Sequence, residues 1–144
     1  MTVCLLSGCI EGPLRSLENI CQIFSDRPHW KVAIERSVER WGVPPEITVS
    51  FVYQESSFRS DARPPRRKIL WIIPWKRPTT AFGYAQAIDA TWARYQRDTG
   101  SIDADRTDFT DAVDFIGCYN EHSYRALGIS KSDAKSAYLA YHEG

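Results

Sequence analysis

The sequence predicts a mainly α-helical protein of one domain. Apolar residues recur at helical spacing in several separate stretches, and three of these stretches stop at Gly42, Gly100 and Gly128. The 144 residues, 43% hydrophobic and 25% charged, match one ordinary globular core. A chain of this length buries about two thirds of the surface its unfolded form exposes.

The elements follow in order. Residues 1–27 read as a leader or tether joined to a short helix from about Leu14 to Phe24, and residues 28–144 as the domain proper. In that domain Trp30, Ile34, Ser37, Val38 and Trp41 form one helical stripe, with Pro28 in its first turn and Gly42 before Pro44-Pro45 as its stop. Segment 46–57 alternates like a strand. Pro44-Pro45 followed by Glu46 nevertheless marks a helix start with an acid suited to the macrodipole, so helix is the reading taken. A helix from about Ala85 to Asp98 carries Ile88, Trp92 and Tyr95 on one side. Another, from about Asp108 to Leu127, carries Ala112, Phe115, Ile116, Tyr119 and Ala126. Ser130 and Asp133 form a capping-box-like start for a last helix that buries Ala134, Tyr138 and Tyr141. Between the second and third of these stripes lies an insert, Arg63 to Thr80, with six cations and no acid around Ile69-Leu70-Trp71-Ile72-Ile73-Pro74-Trp75. Its prolines forbid a continuous helix, which leaves a short β-hairpin or an ordered loop. As function it reads as a cleft wall or a contact for anionic polymers, and as structure it reads as a loop tucked onto the core.

Composition removes several classes. The formal net charge of zero offers no global pull toward nucleic acid, and none is expected as a partner. No stretch approaches the roughly 20 apolar residues that span a bilayer. Cys4, Cys9, Cys21 and Cys118 show no Cys-x-x-Cys spacing, so neither a metal site nor a cofactor is expected. The 12% aromatic content fills a core, or lines a groove where rings stack on sugars.

Three short motifs carry the chemistry: Glu55-Ser56-Ser57-Phe58, Gly83-Tyr84-Ala85-Gln86 and Ala140-Tyr141-His142-Glu143-Gly144. In this order and spacing they resemble the motifs of the lytic transglycosylase (SLT-domain) family, lysozyme-like enzymes that cut bacterial peptidoglycan. The first motif, Glu-Ser-x-Phe, is matched in full. The second, Gly-Leu-Met-Gln, has Tyr84 and Ala85 in the middle, and the third, Ala-Tyr-Asn-Ala-Gly, has His142 and Glu143 for Asn and Ala. The resemblance covers roughly residues 28 to 144 and implies a lysozyme-like fold with peptidoglycan glycan strands as substrate.

Breaking a glycosidic bond requires a proton for the leaving oxygen, and a carboxyl group supplies one near neutral pH only when burial raises its pKa. On a helix Glu55 extends the row Ile47, Phe51 at i+4 spacing and faces inward. Spacing alone also allows a solvated helix-end residue, and the full first-motif match selects the catalytic reading. The family implies that this one acid then turns base and forms a 1,6-anhydro product, where most glycosidases use two carboxylates. Asp61 and Asp89 are near in sequence and keep a hydrolytic, goose-type lysozyme in view, and the altered motifs keep a non-cutting glycan-binding or scaffold domain in view. The resemblance also implies a sugar contact from Gln86, a Tyr141 hydroxyl orienting Glu55, support from Ser56, and Phe58 packed beneath; Tyr84 is counted among the substrate contacts, and His142 reads as a second polar contact or as an exposed residue at a helix end. The family's chains continue past the third motif, so the cleft is expected to be open on that side or the chain shortened. Finally, Leu6-Ser7-Gly8-Cys9 looks like a bacterial lipobox without the usual basic n-region. Either Cys9 is lipidated and tethers a periplasmic protein to the outer membrane, or it is a bystander. In an oxidising compartment Cys21 and Cys118 are free to pair.

Overall fold

The computed structural model describes residues 14–65, 68–69, 73–74 and 79–143. The leader with Cys4 and Cys9, the insert's Trp71 and Trp75, and Gly144 of the third motif lie outside the described residues. Six helices are present among the described residues: α1 (Ile20–Asp26), α2 (Pro28–Trp41), α3 (Pro45–Ser56), α4 (Asp89–Thr99), α5 (Phe109–Leu127) and α6 (Ala134–Glu143). Between α3 and α4, β1 (Lys68–Ile69) pairs antiparallel with β2 (Ile73–Pro74), with Lys68 opposite Pro74 and Ile69 opposite Ile73.

The mainly helical fold expected of a lysozyme-like domain is present, and the ambiguous segment after Pro44 is helical. Three boundaries move, each for a local reason. The first helix begins at Ile20, not near Leu14, because the Asn19 side chain accepts from the Gln22 backbone N–H at 3.2 Å and caps it there. The fourth begins at Asp89, not Ala85, because residues 82–87 form a turn closed by a bridge between Phe82 and Ala87. The last is capped by Asp133 and not Ser130: Asp133 Oδ1 accepts from the Ser136 backbone N–H at 3.0 Å. Ala134 and Ala126 are accordingly exposed, and the buried positions of α6 and late α5 are Ala137, Ser123 and Tyr124.

The core forms around α2 and α5. Gly117 lets them approach closely, since a Cβ there would sit 2.5 Å from the Trp41 ring and 2.6 Å from Ser37 Oγ. Ser37 Oγ donates to the Val113 carbonyl across the seam at 2.9 Å. Asp114 ties three helices together, accepting from Arg40 at 2.9 Å, Trp41 Nε1 at 2.8 Å and Tyr95 Oη at 2.7 Å. Beside this network the Trp30 and Phe109 rings stack with centroids 4.0 Å apart, flanked by Phe58 and the edge of Tyr84. Such pairs contribute roughly 0.5–1.5 kcal/mol each beyond their buried area. Most of the aromatic content thus builds the core. This rigid block fixes where α3 ends.

Candidate active site

Helix α3 buries Ile47 and Phe51, and one turn on it presents Glu55 half-buried at its C-terminal end. The helix stops through two successive residues in the left-handed region, Ser57 at φ 50° and Phe58 at φ 60°. Such a conformation costs a non-glycine residue roughly 1–2 kcal/mol. It is offset by the burial of Phe58 against Trp30, which packs the Phe58 ring under the turn as the first motif suggests.

The second motif is a tight turn wedged between the chain after α3 and the start of α5. Gly83 lies at φ 78°, and a Cβ there would fall 2.1 Å from the Arg106 carbonyl oxygen, so no other residue fits. Gly83 N–H donates to the Ala62 carbonyl at 3.0 Å, and Tyr84 N–H donates to the Arg106 carbonyl at 3.2 Å. Gln86, at φ 49°, donates its side-chain amide to both the Ala62 and Gly83 carbonyls at 2.8 Å. Facing two acceptors, that atom must be the amide nitrogen, which leaves Gln86 only its oxygen for any ligand. Arg106 braces the turn from outside by donating to the Ala87 carbonyl at 2.9 Å and pairing with Asp89 at 2.8 Å.

The third motif arrives on α6. The half-buried Tyr141 ring meets Phe51 edge-on with centroids 5.0 Å apart, and its hydroxyl donates to the Ala85 carbonyl at 2.6 Å. Glu55, Gln86, Tyr141 and His142 therefore converge on one groove of about 470 Å³, together with Ile88, Thr91, Phe115 and Tyr119. Pro64 and Thr79, at the two ends of the insert, also line it. Ser56 and Tyr84 are not part of this lining. The Ser56 hydroxyl is buried and donates to its own helix at the Val52 carbonyl, 3.0 Å away, and Tyr84 is a core ring packed edge-on against Trp30 and Phe109. His142 is an exposed groove residue near the end of α6.

The electrostatics single out Glu55. Its Oε1 is buried without a hydrogen-bond partner, and desolvation raises its pKa above the ordinary carboxylate range. A Tyr138 hydroxyl interaction and the His142 charge oppose that rise in part. Among the described residues lining the groove Glu55 is the sole carboxylate. Asp61 is exposed beside Arg59, and Asp89 is held by Arg106. No group of three or more His, Cys, Asp or Glu suited to a metal occurs among the described residues. Cys21 and Cys118 are unpaired, and Cys118 is a half-buried thiol raised in pKa by burial.

Tyr138, Tyr119 and Arg106 carry parts of this arrangement that no motif names. Tyr138 had a sequence signal, since it lies three residues before Tyr141 and shares its helix face. Arg106 had none, because its partners are backbone carbonyls distant in sequence. A family model described as Transglycosylase SLT domain matches residues 1–144. No curated protein and no solved structure matches the chain.

Proposed function

The chain belongs to the transglycosylase SLT domain family, and from that premise we propose that it cleaves the bond between N-acetylmuramic acid and N-acetylglucosamine in peptidoglycan without consuming water, with Glu55 as acid and then base. The observation that carries this reading is a half-buried carboxyl group, raised in pKa, with no second carboxylate among the described residues of its groove. A group so placed holds its proton to higher pH than a solvated glutamate. It passes that proton to the glycosidic oxygen as the C1–O bond breaks. The substrate's own acetamido oxygen stabilises the positive C1. The Glu55 carboxylate then takes the proton of the muramyl 6-hydroxyl while O6 attacks C1 and closes the 1,6-anhydro ring. The carboxyl group ends protonated, ready for the next bond.

Gln86, held by the Ala62 and Gly83 carbonyls, offers its amide oxygen to an N–H of the sugar. Tyr119, backed by the buried Phe115, supplies an apolar wall for a sugar face. The insert rises from two residues of the groove rim, Pro64 and Thr79, which supports a role as a wall for the glycan and its acidic stem peptides. Digestion of purified sacculi followed by mass spectrometry of the products tests the reading. Anhydro-muramyl ends are expected. Reducing ends would make the protein a hydrolytic lysozyme, and an absence of products would make it a glycan-binding domain.

The same reading puts the protein in the bacterial periplasm, anchored to the outer membrane through a lipidated Cys9. Two or more acyl chains give stable attachment where one is marginal. The full-length precursor should then fractionate with membranes and Cys9→Ala should release it. A soluble precursor carrying a free Cys9 thiol would remove the anchor.

A further inference from the structure

Two tyrosines of α6 compete for the role of partner to Glu55. Both Tyr138 and Tyr141 rest edge-on against Phe51, with ring centroids 5.4 Å and 5.0 Å away at interplanar angles of 81° and 87°. Phe51 is one helical turn before Glu55, so both phenols reach the neighbourhood of the carboxyl group. Their hydroxyl groups then part. Tyr141 gives its only proton to the Ala85 carbonyl in a 2.6 Å bond, and toward Glu55 it retains only acceptor capacity. The Tyr138 hydroxyl makes no hydrogen bond to that turn, Glu55 Oε1 is buried without a partner, and the phenol and the carboxyl group shift one another's ionisation.

We propose that Tyr138 is the positioning residue of Glu55, donating its phenolic proton to the carboxylate during the half of the reaction in which Glu55 is ionised. The proposal rests on the assignment of Glu55 as acid and base. Catalytic hydrogen bonds are commonly loose in a free enzyme and tighten once substrate is bound. A donor on Glu55 has two effects. It fixes which way the carboxylate points when the muramyl 6-hydroxyl must be deprotonated. It also favours the ionised form, against the desolvation that favours the acid, and so limits how strongly Glu55 holds its proton.

The groups facing Glu55 set what can be tested. From α6 they are Tyr138, Tyr141 and His142, and from α5 Tyr119, whose ring lies 4.9 Å from that of Tyr141. From α4 the groove receives Thr91, which does not titrate in the accessible range. Tyr138 and His142 favour the carboxylate, whereas the Tyr141 hydroxyl, spent on the Ala85 carbonyl, offers it no proton. The variants Tyr138→Phe and Tyr141→Phe therefore act differently on Glu55, which no general loosening of α6 would produce.

The experiment is a pair of pH titrations on the full chain with isolated peptidoglycan. In the first, kcat/KM is measured against pH, its alkaline limb reporting the ionisation of the general acid. In the second, the 13C carboxyl resonance of Glu55 is followed without substrate. Tyr138→Phe should move both midpoints upward by about one pH unit, the size expected for losing one hydrogen bond to a charged group. Its kcat at the optimum should fall several-fold while KM holds. Tyr141→Phe should leave the midpoints in place or move them downward. Replacing Tyr138 by 3-fluorotyrosine keeps the shape and strengthens the donor, so it should move them downward as well. This variant serves if the Phe variant does not fold. Midpoints unmoved by both Tyr138 changes, or an upward shift with Tyr141→Phe alone, overturn the proposal. A carboxyl resonance that shifts as stated in a protein without turnover upholds the contact and overturns the proposed activity.

Discussion

At the scale of single residues the chain concentrates its unusual chemistry on Glu55. Its inward direction was legible, because Ile47, Phe51 and Glu55 repeat every fourth residue and a helix must place such a row on one side. What could not be read was which hydroxyl group meets it. That depends on the position of the Ala85 carbonyl, fixed by a turn far away in sequence, which takes the Tyr141 proton. Substituting Glu55→Gln preserves shape and removes the proton, so turnover should drop by about 10²–10⁴-fold with the circular dichroism unchanged. The same change should alter stability in a pH-dependent way. Glu55 has a folded pKa raised above its ordinary 4.5, so its contribution to stability is full below that value and is lost as pH rises through the raised one. Gln is neutral throughout and escapes this loss. The melting temperature of the variant relative to the parent should therefore climb across that window, as scanning calorimetry at several pH values would record.

At the scale of elements the helices were legible wherever a stop signal and a stripe agreed, as for α2 and α5, because both signals are local. They failed at residues 85–88, where Ile88 and Trp92 keep helical spacing but Gln86 is drawn into the left-handed region by two backbone carbonyls. Tertiary hydrogen bonding overrode a weak local preference there, leaving Ile88 exposed. This turn holds Gln86 at the groove and the Ala85 carbonyl against the Tyr141 hydroxyl. Gly83→Ala should be expensive, at about 1–2 kcal/mol for the left-handed backbone and about 1–3 kcal/mol for forcing a methyl against the Arg106 carbonyl. Urea titration should show the loss in the midpoint. Activity at low temperature, where the variant still folds, should fall too, because the wall carrying Gln86 is displaced.

At the scale of the whole molecule Asp114 holds α2, α4 and α5 together through Arg40, Trp41 and Tyr95. None of this was legible beforehand, since an acid within a helix reads as a solvated face until three donors from two other helices surround it. Asp114→Asn turns one acceptor into a donor facing another donor and should cost about 1–3 kcal/mol. Tyr95 is pushed well above its ordinary 10.0 by burial, and Asp114 adds to that push. A raised folded pKa means stability that is full below 10.0 and lost as pH rises beyond it. Stability should thus stop falling at a lower pH in the Asn variant, in which the neighbouring charge is gone, and a denaturation series carried upward from pH 10 to the alkaline limit of folding would show the difference.

The placement of the acid and its companions has a temporal consequence. Glu55 rides on α3, while Tyr138, Tyr141 and His142 ride on α6, some eighty residues later. Pairings across such distances form late, because the intervening chain must close first. A nascent or half-folded molecule can therefore possess all its helices and still lack a tuned acid. In a refolding experiment helical signal should return first and cleavage of glycan only after a lag. Under the activity proposed above, the chain would stay without glycan cleavage until its last helix has docked.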